Sequence, residues 1–404
     1  MLRPSTAFIV LTMVSTVALA QTPPPFNRNE IVVVGAKISD LKADVERCEA
    51  GGCTVREDVI ATIRYAEAAF LEGKYRDAHR ALGKAVTRTR KGEDSDPYAI
   101  VELQTARANV ARHYGEPNDE WRAAGAVARI MGRHAPQSPS TFMARLRLID
   151  TNFRRDYGDP EHSGGFNMAQ LKALSEEARE ANYPLIAMRA DLSRASILYR
   201  TGQREDARAL LGRIVESTVP DSAFLRLSAE ILAMRLDLRD GNSSRLEALI
   251  AKLSQEKKQL EPILLWAPPI PAPQNFVHVG RRDLGPSPGT AGGTSYSALP
   301  TRWVDIGIAI GQDGRIESVE VLRGSPNPTW AEPLTATIAK RRYTPAAGPD
   351  DLAGRYRIER YTMTADFVVP VGSRIRVRAG MPRFERIDLT PAPPTETKAA
   401  AVSS

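Results

Sequence analysis

The sequence predicts a multidomain protein, in which an all-α helical-repeat region precedes a small α+β C-terminal domain with a three-stranded sheet and one helix. Three observations lead to this fold class. Apolar residues recur at three- and four-residue spacing over 38–261, as on helices that bury one face. A Pro-, Gly- and Ser-rich linker over 262–300 interrupts that pattern. From residue 301 the apolar period becomes two, which is typical of strands.

The first twenty residues have the order of a secretory signal peptide. Arg3 precedes an apolar run from Ala7, and small Ala18 and Ala20 stand where a signal peptidase requires them. The run is shorter than the roughly 20 apolar residues of a spanning helix. We therefore predict a signal peptide over 1–20, cleavage after Ala20 and export to the periplasm. A retained segment would instead anchor the protein in the inner membrane.

Residues 21–37 combine a Pro-rich stub, expected to be disordered, with a short β-branched segment, E-I-V-V-V-G, at 30–35. This segment is similar to the one that TonB-dependent receptors present near their mature N-terminus. One hypothesis is that it docks on the edge of the C-terminal sheet, in its own chain or a neighbour's. The alternative is a short strand that packs on the first helix.

Two cysteines, Cys48 and Cys53, are separated by a flexible E-A-G-G sequence. The two glycines allow the chain to fold back until the Cβ atoms reach bonding distance. In an oxidising compartment this arrangement predicts a local disulfide. A redox-active pair or a soft-metal site is the alternative, although the nearby sequence offers no third or fourth ligand.

Within the helical region, two segments share residues of the same kind at the same offsets. The glycine of each segment is expected to end one helix of a pair, and the small residues allow the two helices to approach closely. A weaker third copy follows at Gly241, Leu246 and Ile250, and the intervening stretch around Gly115 matches poorly. The matching sets are Ala66, Gly73, Tyr75, Ala78, Leu82 and Ala85, and Ala195, Gly202, Arg204, Ala207, Leu211 and Ile214.

This pattern resembles the tetratricopeptide repeat, with small residues around a glycine between two helices. The resemblance implies a curved solenoid whose concave face commonly binds peptides or proteins. A generic helical bundle is the alternative architecture, and a simple spacer is the alternative role.

The C-terminal domain, predicted over 301–380, begins with alternating apolar residues at Val304, Ile306, Ile308 and Ile310. An Asp-Gly turn and a return strand complete a hairpin. A helix over 329–342 and a last strand over 357–369 follow, and residues 381–404 are expected to form a disordered tail.

Three segments of this part, in this order, resemble the C-terminal domain of TonB-family energy transducers. They are V-D-I-G-I-A-I-G-Q-D-G-R-I-E-S-V-E-V-L, K-R-R-Y-T-P-A and a closing strand that ends in phenylalanine. The match spans about Val304 to Phe367. It implies a periplasmic domain that adds an extended segment of an outer-membrane receptor to its sheet edge. Family transducers keep an N-terminal membrane helix, which this chain is predicted to lose. We therefore favour recognition over energy transduction.

Two groups of residues are candidate binding sites. Arg341, Arg342, Tyr343 and Pro345 match the family's signature after the helix, and the arginines are candidates to hold a peptide carboxylate. The alternative is that Tyr343 packs in the core and Pro345 stops the helix. The second group would place three guanidinium groups on one side of a strand, where they could bind an acidic peptide or lipid headgroups. The alternative is that these charges only protect an exposed sheet edge from aggregation. The members of this second group are Arg374, Arg376 and Arg378.

The sequence contains no H-E-x-x-H, nucleophile-elbow, P-loop or dinucleotide-binding motif. We therefore expect no catalytic activity, cofactor or metal. The formal charge of +7 is a mild bias for 404 residues and is compatible with acidic partners or with peripheral contact to anionic lipid. Nucleic acid is not expected as a partner, because the protein is predicted to be exported and its sequence lacks an aromatic-plus-basic motif. Two classes of function fit: a recognition module for TonB-dependent transport, and a periplasmic adaptor that binds proteins through its repeats and dimerises through its C-terminal sheet.

Overall fold

Helices dominate the first two thirds of the chain, and strands dominate the last third. The computed structural model describes residues 37–155, 160–242, 244–256, 262–270, 301–345, 355–369, 374, 376–378 and 382–390, without the side chains of 160–164, 254–256 and 368. From Ile38 onward these residues belong to one unit. The predicted signal peptide, the 30–35 segment and most of the linker lie outside the described residues.

Consecutive helices of the repeat region pack against each other along the chain. None of the described helices is long and apolar enough to cross a bilayer. Their bounds are α1 Ile38–Glu49, α2 Val55–Leu71, α3 Tyr75–Arg88, α4 Pro97–Tyr114, α5 Pro117–His134, α6 Pro139–Arg155, α7 Pro160–Glu180, α8 Pro184–Arg200, α9 Arg204–Val215, α10 Ala223–Arg239 and α11 Ser244–Glu256.

The helices form hairpins at the glycines that the sequence pattern uses. Gly73, Gly202 and Gly241 follow α2, α8 and α10, each with a positive φ between 75° and 86°. Gly115 follows α4 in the same conformation, with φ 84°, although the stretch around it matched the repeat poorly. The small and apolar repeat residues of the two matching copies, around Gly73 and Gly202, are buried on both helices of each pair. The predicted helical-repeat fold class is confirmed.

The cysteine prediction is confirmed as well. Cys48 and Cys53 form a disulfide with a Cα–Cα distance of 4.9 Å. The bond joins the end of α1 to the turn before α2, where the Thr54 side chain and Glu57 form a capping box.

The C-terminal part contains eight described strands and one helix. The strands are β1 Leu264–Trp266, β2 Arg302–Ile310, β3 Ile316–Gly324, β4 Arg342–Tyr343, β5 Tyr356–Thr364, β6 Phe367–Val368, β7 Val377–Arg378 and β8 Arg383–Asp388, and the helix, α12, spans Glu332–Ile338. Four strands form an antiparallel sheet in the order β3-β2-β5-β8. One face of β2 packs on Leu334 and Ile338 of α12. The short pairs β1–β4 and β6–β7 form two further two-stranded sheets.

Three boundaries differ from the sequence prediction. The sheet gains a fourth strand, β8, inside the expected disordered tail, because its backbone pairs with β5 over 359–364. The expected helix over 329–342 is a short 3-10 turn followed by α12, since Arg342 and Tyr343 pair with β1 instead. Part of the expected linker is ordered, because Leu265 of β1 packs among α10 and α11 and Arg235 donates to its carbonyl at 2.8 Å.

Candidate functional site

Two of the predicted peptide-binding residues lie in the core of the C-terminal part. Arg341 and Tyr343 are both only 4% exposed. Arg341 donates to the Glu359 carboxylate on β5 at 2.7 Å and also contacts the Tyr361 hydroxyl. Because its charge is already matched by a buried carboxylate, Arg341 cannot reach a peptide on the surface, and that prediction is wrong for this residue.

The other two residues of the signature are half-buried. Arg342 lies in β4, where its backbone is opposite Trp266 of β1, and Pro345 lies two residues after the end of that strand. Tyr343 packs with Leu334 and Ile338, as the alternative reading of the signature has it. Pro345 does not stop the helix as that reading expects, because α12 already ends at Ile338 and β4 follows it. Together these residues fasten the short β1–β4 pair beside the sheet.

Two residues of the predicted basic edge face the helical repeats. Arg376 forms an ion pair with Glu116 at 2.7 Å, and Arg378 donates to the backbone carbonyl of Tyr114 at 2.8 Å. Both guanidinium groups also lie over the Phe367 ring. Arg374 is exposed. The prediction that these side chains face an acidic peptide or lipid headgroups is wrong for Arg376 and Arg378, because the end of α4 and the turn after it offer them a carbonyl and a carboxylate.

These contacts belong to an interface in which the sheet, on the face away from α12, packs against the first repeats. Its centre is Arg360 of β5, which is fully buried. The guanidinium group forms a two-pronged ion pair with Asp305, at 2.6 and 2.8 Å, and donates to the carbonyls of Phe70 and Leu71 at the end of α2. A cation is favourable there, because the helix dipole places partial negative charge at that end. The Trp303 ring covers the guanidinium group at 4.1 Å.

A second polar contact lies beside this arginine. The Thr362 hydroxyl is hydrogen-bonded to the Tyr75 hydroxyl at 2.9 Å and to Nδ1 of His113 at 3.0 Å. His113 is 4% exposed, and this burial lowers the pKa of its imidazole to about 4. A neutral histidine therefore connects α4 to β5 at neutral pH.

Two of the hairpin glycines allow the sheet to approach. A Cβ atom on Gly73 would lie 1.9 Å from Nε1 of Trp303, and one on Gly115 would lie 2.5 Å from the carbonyl oxygen of Ala365. Nothing lies within 4 Å of a Cβ on Gly202. The glycines at 73 and 115 thus serve both the turn and the docking of the sheet.

A cleft of about 570 Å³ lies along the repeats, between side chains of α4, α5, α6, α8 and α10. Successive hairpins contribute their first helices to it, so that the cleft follows one side of the helical array. Its basic residues are Arg112, Arg147, Arg154 and Arg189, its acidic residues are Glu120 and Asp150, and its apolar residues are Met143, Leu146, Leu192, Phe224 and Leu225.

The four arginines of the cleft differ in their partners. Arg112 is paired with Glu385 of β8 at 2.5 Å, and Arg154 is paired with Glu120 at 2.6 Å. Arg147 donates to the side-chain oxygen of Asn109. Arg189 is exposed and reaches the Met143 sulfur at 4.0 Å.

Burial perturbs two charges in the cleft. It lowers the pKa of the Arg147 guanidinium and raises the pKa of the Asp150 carboxyl. Sequence reasoning missed this cleft because its side chains come from five helices, and no local pattern marks them.

Among the described residues, no three His, Cys, Asp or Glu side chains lie close enough to hold a metal ion.

No protein-family model matches the chain, and the comparison with curated proteins found no match. A structure of nearly identical TPR-like repeats from Podosopora anserina, described as those of a kinesin light chain, is 16% identical and covers 50% of this chain and 97% of its own, with a TM-score of 0.38. The structure of a single-residue variant of those repeats is 15% identical and covers 51% and 100%, with a TM-score of 0.40. At these values the assignment of the fold rests on the helices and hairpins themselves.

Proposed function

We propose that this protein is a non-enzymatic recognition scaffold of the periplasm, which holds an extended segment of a partner protein in the cleft of its helical repeats. The observation that carries the proposal is the cleft itself, with apolar and charged side chains presented by successive hairpins. Repeats of paired helices commonly bind proteins on such a surface. Phe224 is 60% exposed at its rim, and an exposed aromatic side chain is a frequent anchor for a partner.

The proposed compartment rests on the signal-like N-terminus and agrees with the disulfide, since such bonds persist in oxidising compartments. In this view the sheet is a docked extension of the scaffold. Its contacts with α2, α3, α4 and the turn before α5 fix its position relative to the cleft, and Arg112 of the cleft is paired with Glu385 of β8.

A second candidate is strand addition, as the TonB-family resemblance implies. The observation in its favour is that no described strand pairs with the outer edge of β3, where Val321 is 42% exposed. Two features count against it. The pairing of β3 with β2 is irregular at two points, and bulges of this kind protect an edge. On the other side of the sheet, the position beside β5 is taken by the chain's own β8, which is therefore the edge strand there.

One experiment separates these candidates. A photo-crosslinking residue is placed at Phe224, at Val321 or at Phe166 of the full chain in producing cells. Phe166 is the matched control, since it is 62% exposed on α7 and does not line the cleft. We expect adducts from position 224 with one recurring segment of a periplasmic or membrane partner, mapped by mass spectrometry. Adducts from 321 alone would support strand addition, and equal labelling from 224 and 166 would contradict a binding cleft.

A further inference from the structure

The cleft contains more positive charge than its own acidic residues neutralise. Four arginines line it, but only Glu120 and Asp150 are acidic. Glu120 is already paired with Arg154, and Arg112 takes its partner from the sheet. No carboxylate of the described residues forms an ion pair with Arg147 or Arg189.

The surroundings of Arg147 increase the effect of this imbalance. The Arg147 side chain is half-buried. Its guanidinium group donates a hydrogen bond to the neutral amide oxygen of Asn109 rather than to a carboxylate. Desolvation lowers the pKa of the Arg147 guanidinium, the Glu120 carboxylate opposes this shift, and the positive charges of Arg154 and Arg112 add to it. A partly desolvated guanidinium gains most from a planar anion that accepts two of its N–H groups.

The apolar wall indicates what carries the anion. Leu192, Phe224 and Leu225 line the same cleft as the arginines. A small inorganic anion would leave this apolar surface in water, whereas a peptide would cover it.

We propose that the cleft binds an acidic peptide segment, in which carboxylates alternate with apolar side chains, and that Arg147 and Arg189 contact the carboxylates while Phe224 contacts an apolar side chain. This inference rests on the proposed function and names the chemistry of the partner. The carboxylate can belong to Asp or Glu side chains or to the end of a chain, and these two sources require separate probes.

The probes are fluorescein-labelled decapeptides of alternating Asp and Leu, and of alternating Asn and Leu, each with a free or an amidated C-terminus. Binding to the full chain is measured by fluorescence anisotropy. We expect the Asp-Leu peptide to bind at least about tenfold more tightly than the Asn-Leu peptide, because a hydrogen bond to a charged group contributes more than a neutral one. Added salt should weaken the Asp-Leu complex.

The variants Arg147→Gln and Arg189→Gln should each weaken Asp-Leu binding about tenfold. Arg213→Gln is the matched control. It removes the same charge from an exposed arginine on α9 that does not line the cleft, so its affinity should equal that of the wild type. Thermal unfolding of each variant shows whether the fold is intact. Tighter binding of the free-acid peptide than of the amidated one would identify a terminal carboxylate as the source.

Two failures are distinguishable. If Asp-Leu and Asn-Leu peptides bind equally, or if both arginine variants bind like the wild type while Phe224→Ala weakens binding, the acidic partner is wrong and a peptide cleft remains. If no peptide binds and position 224 gives no specific crosslink, both this inference and the proposed function are overturned.

Discussion

His113 shows how one buried side chain makes the docking of the sheet sensitive to pH. Its ring lies at right angles to the Phe70 ring, with centroids 5.0 Å apart, and is hydrogen-bonded to Thr362. Desolvation lowers the pKa from 6.5 to about 4, and the positive charges of Arg112 and Arg360 act in the same direction. The Glu385 carboxylate opposes this shift. His113 therefore binds a proton less readily in the folded protein than in the unfolded chain.

We predict that the free energy of unfolding decreases as the pH falls from 6.5 to about 4, because only the unfolded chain binds a proton at His113 in this window. The contribution is roughly 3 kcal/mol over the window, and below it this group adds no further loss. Urea unfolding at several pH values measures the effect. His113→Gln should have a shallower pH dependence than the wild type, and equal slopes would contradict the assignment.

At the scale of elements, the hairpin turns carry a second role that the repeat pattern does not reveal. Alanine at Gly73 or Gly202 would incur the cost of a left-handed conformation, roughly 1–2 kcal/mol. At Gly73 the added methyl group would also overlap the Trp303 ring, whereas Gly202 has open space. We predict that Gly73→Ala lowers the free energy of unfolding more than Gly202→Ala does, as measured in urea. If both variants lower the free energy of unfolding equally, the Trp303 side chain moves away from the added methyl group without a loss of stability.

The same elements show what the sequence can and cannot predict. Hairpins around Gly73 and Gly202 were predictable, because helical periodicity and a glycine at the turn are local signals. The α4–α5 hairpin shares the turn conformation of Gly115 but not the residue types of the other copies, so comparison of residues missed it. Strand β8, R-F-E-R-I-D, lacks apolar alternation. It forms because β5 supplies backbone partners and because Arg112 and Glu385 form an ion pair.

For the whole molecule, the proline-rich linker suggested two independent domains, and the described residues form extensive contacts between them instead. The residues that make these contacts, Trp303, Arg360 and Thr362, occupy the face of the sheet away from α12. In the sequence these three positions look solvent-facing. The alternation of apolar and polar residues along a strand identifies only the sheet face that packs on the domain's own helix. Which element covers the other face of the sheet depends on tertiary packing, and the local spacing of residues does not predict it.

Because Arg360 joins β5, β2 and the end of α2, we predict that repeats and sheet unfold together. A Trp121→Phe background leaves tryptophans only in the strand-rich part, at 266, 303 and 330. In urea, their fluorescence and far-ultraviolet circular dichroism, which reports the helices, should then give coincident transitions. Arg360→Met should cost up to about 3–5 kcal/mol, because the buried Asp305 carboxylate loses its buried partner and keeps only the partly exposed Arg323, and should separate the two transitions.

Two further variants test whether this loss comes from the ion pair at the interface. Arg323 also pairs with Asp305, at 2.8 Å, but its side chain is 41% exposed, and so Arg323→Gln should keep the transitions coincident. Adding Asp305→Asn to Arg360→Met should recover part of the lost stability, because the buried charge is then removed. If Arg360→Met alone unfolds in one transition at the wild-type urea concentration, the sheet is held to the repeats by its apolar contacts, and the arginine only fills space between them.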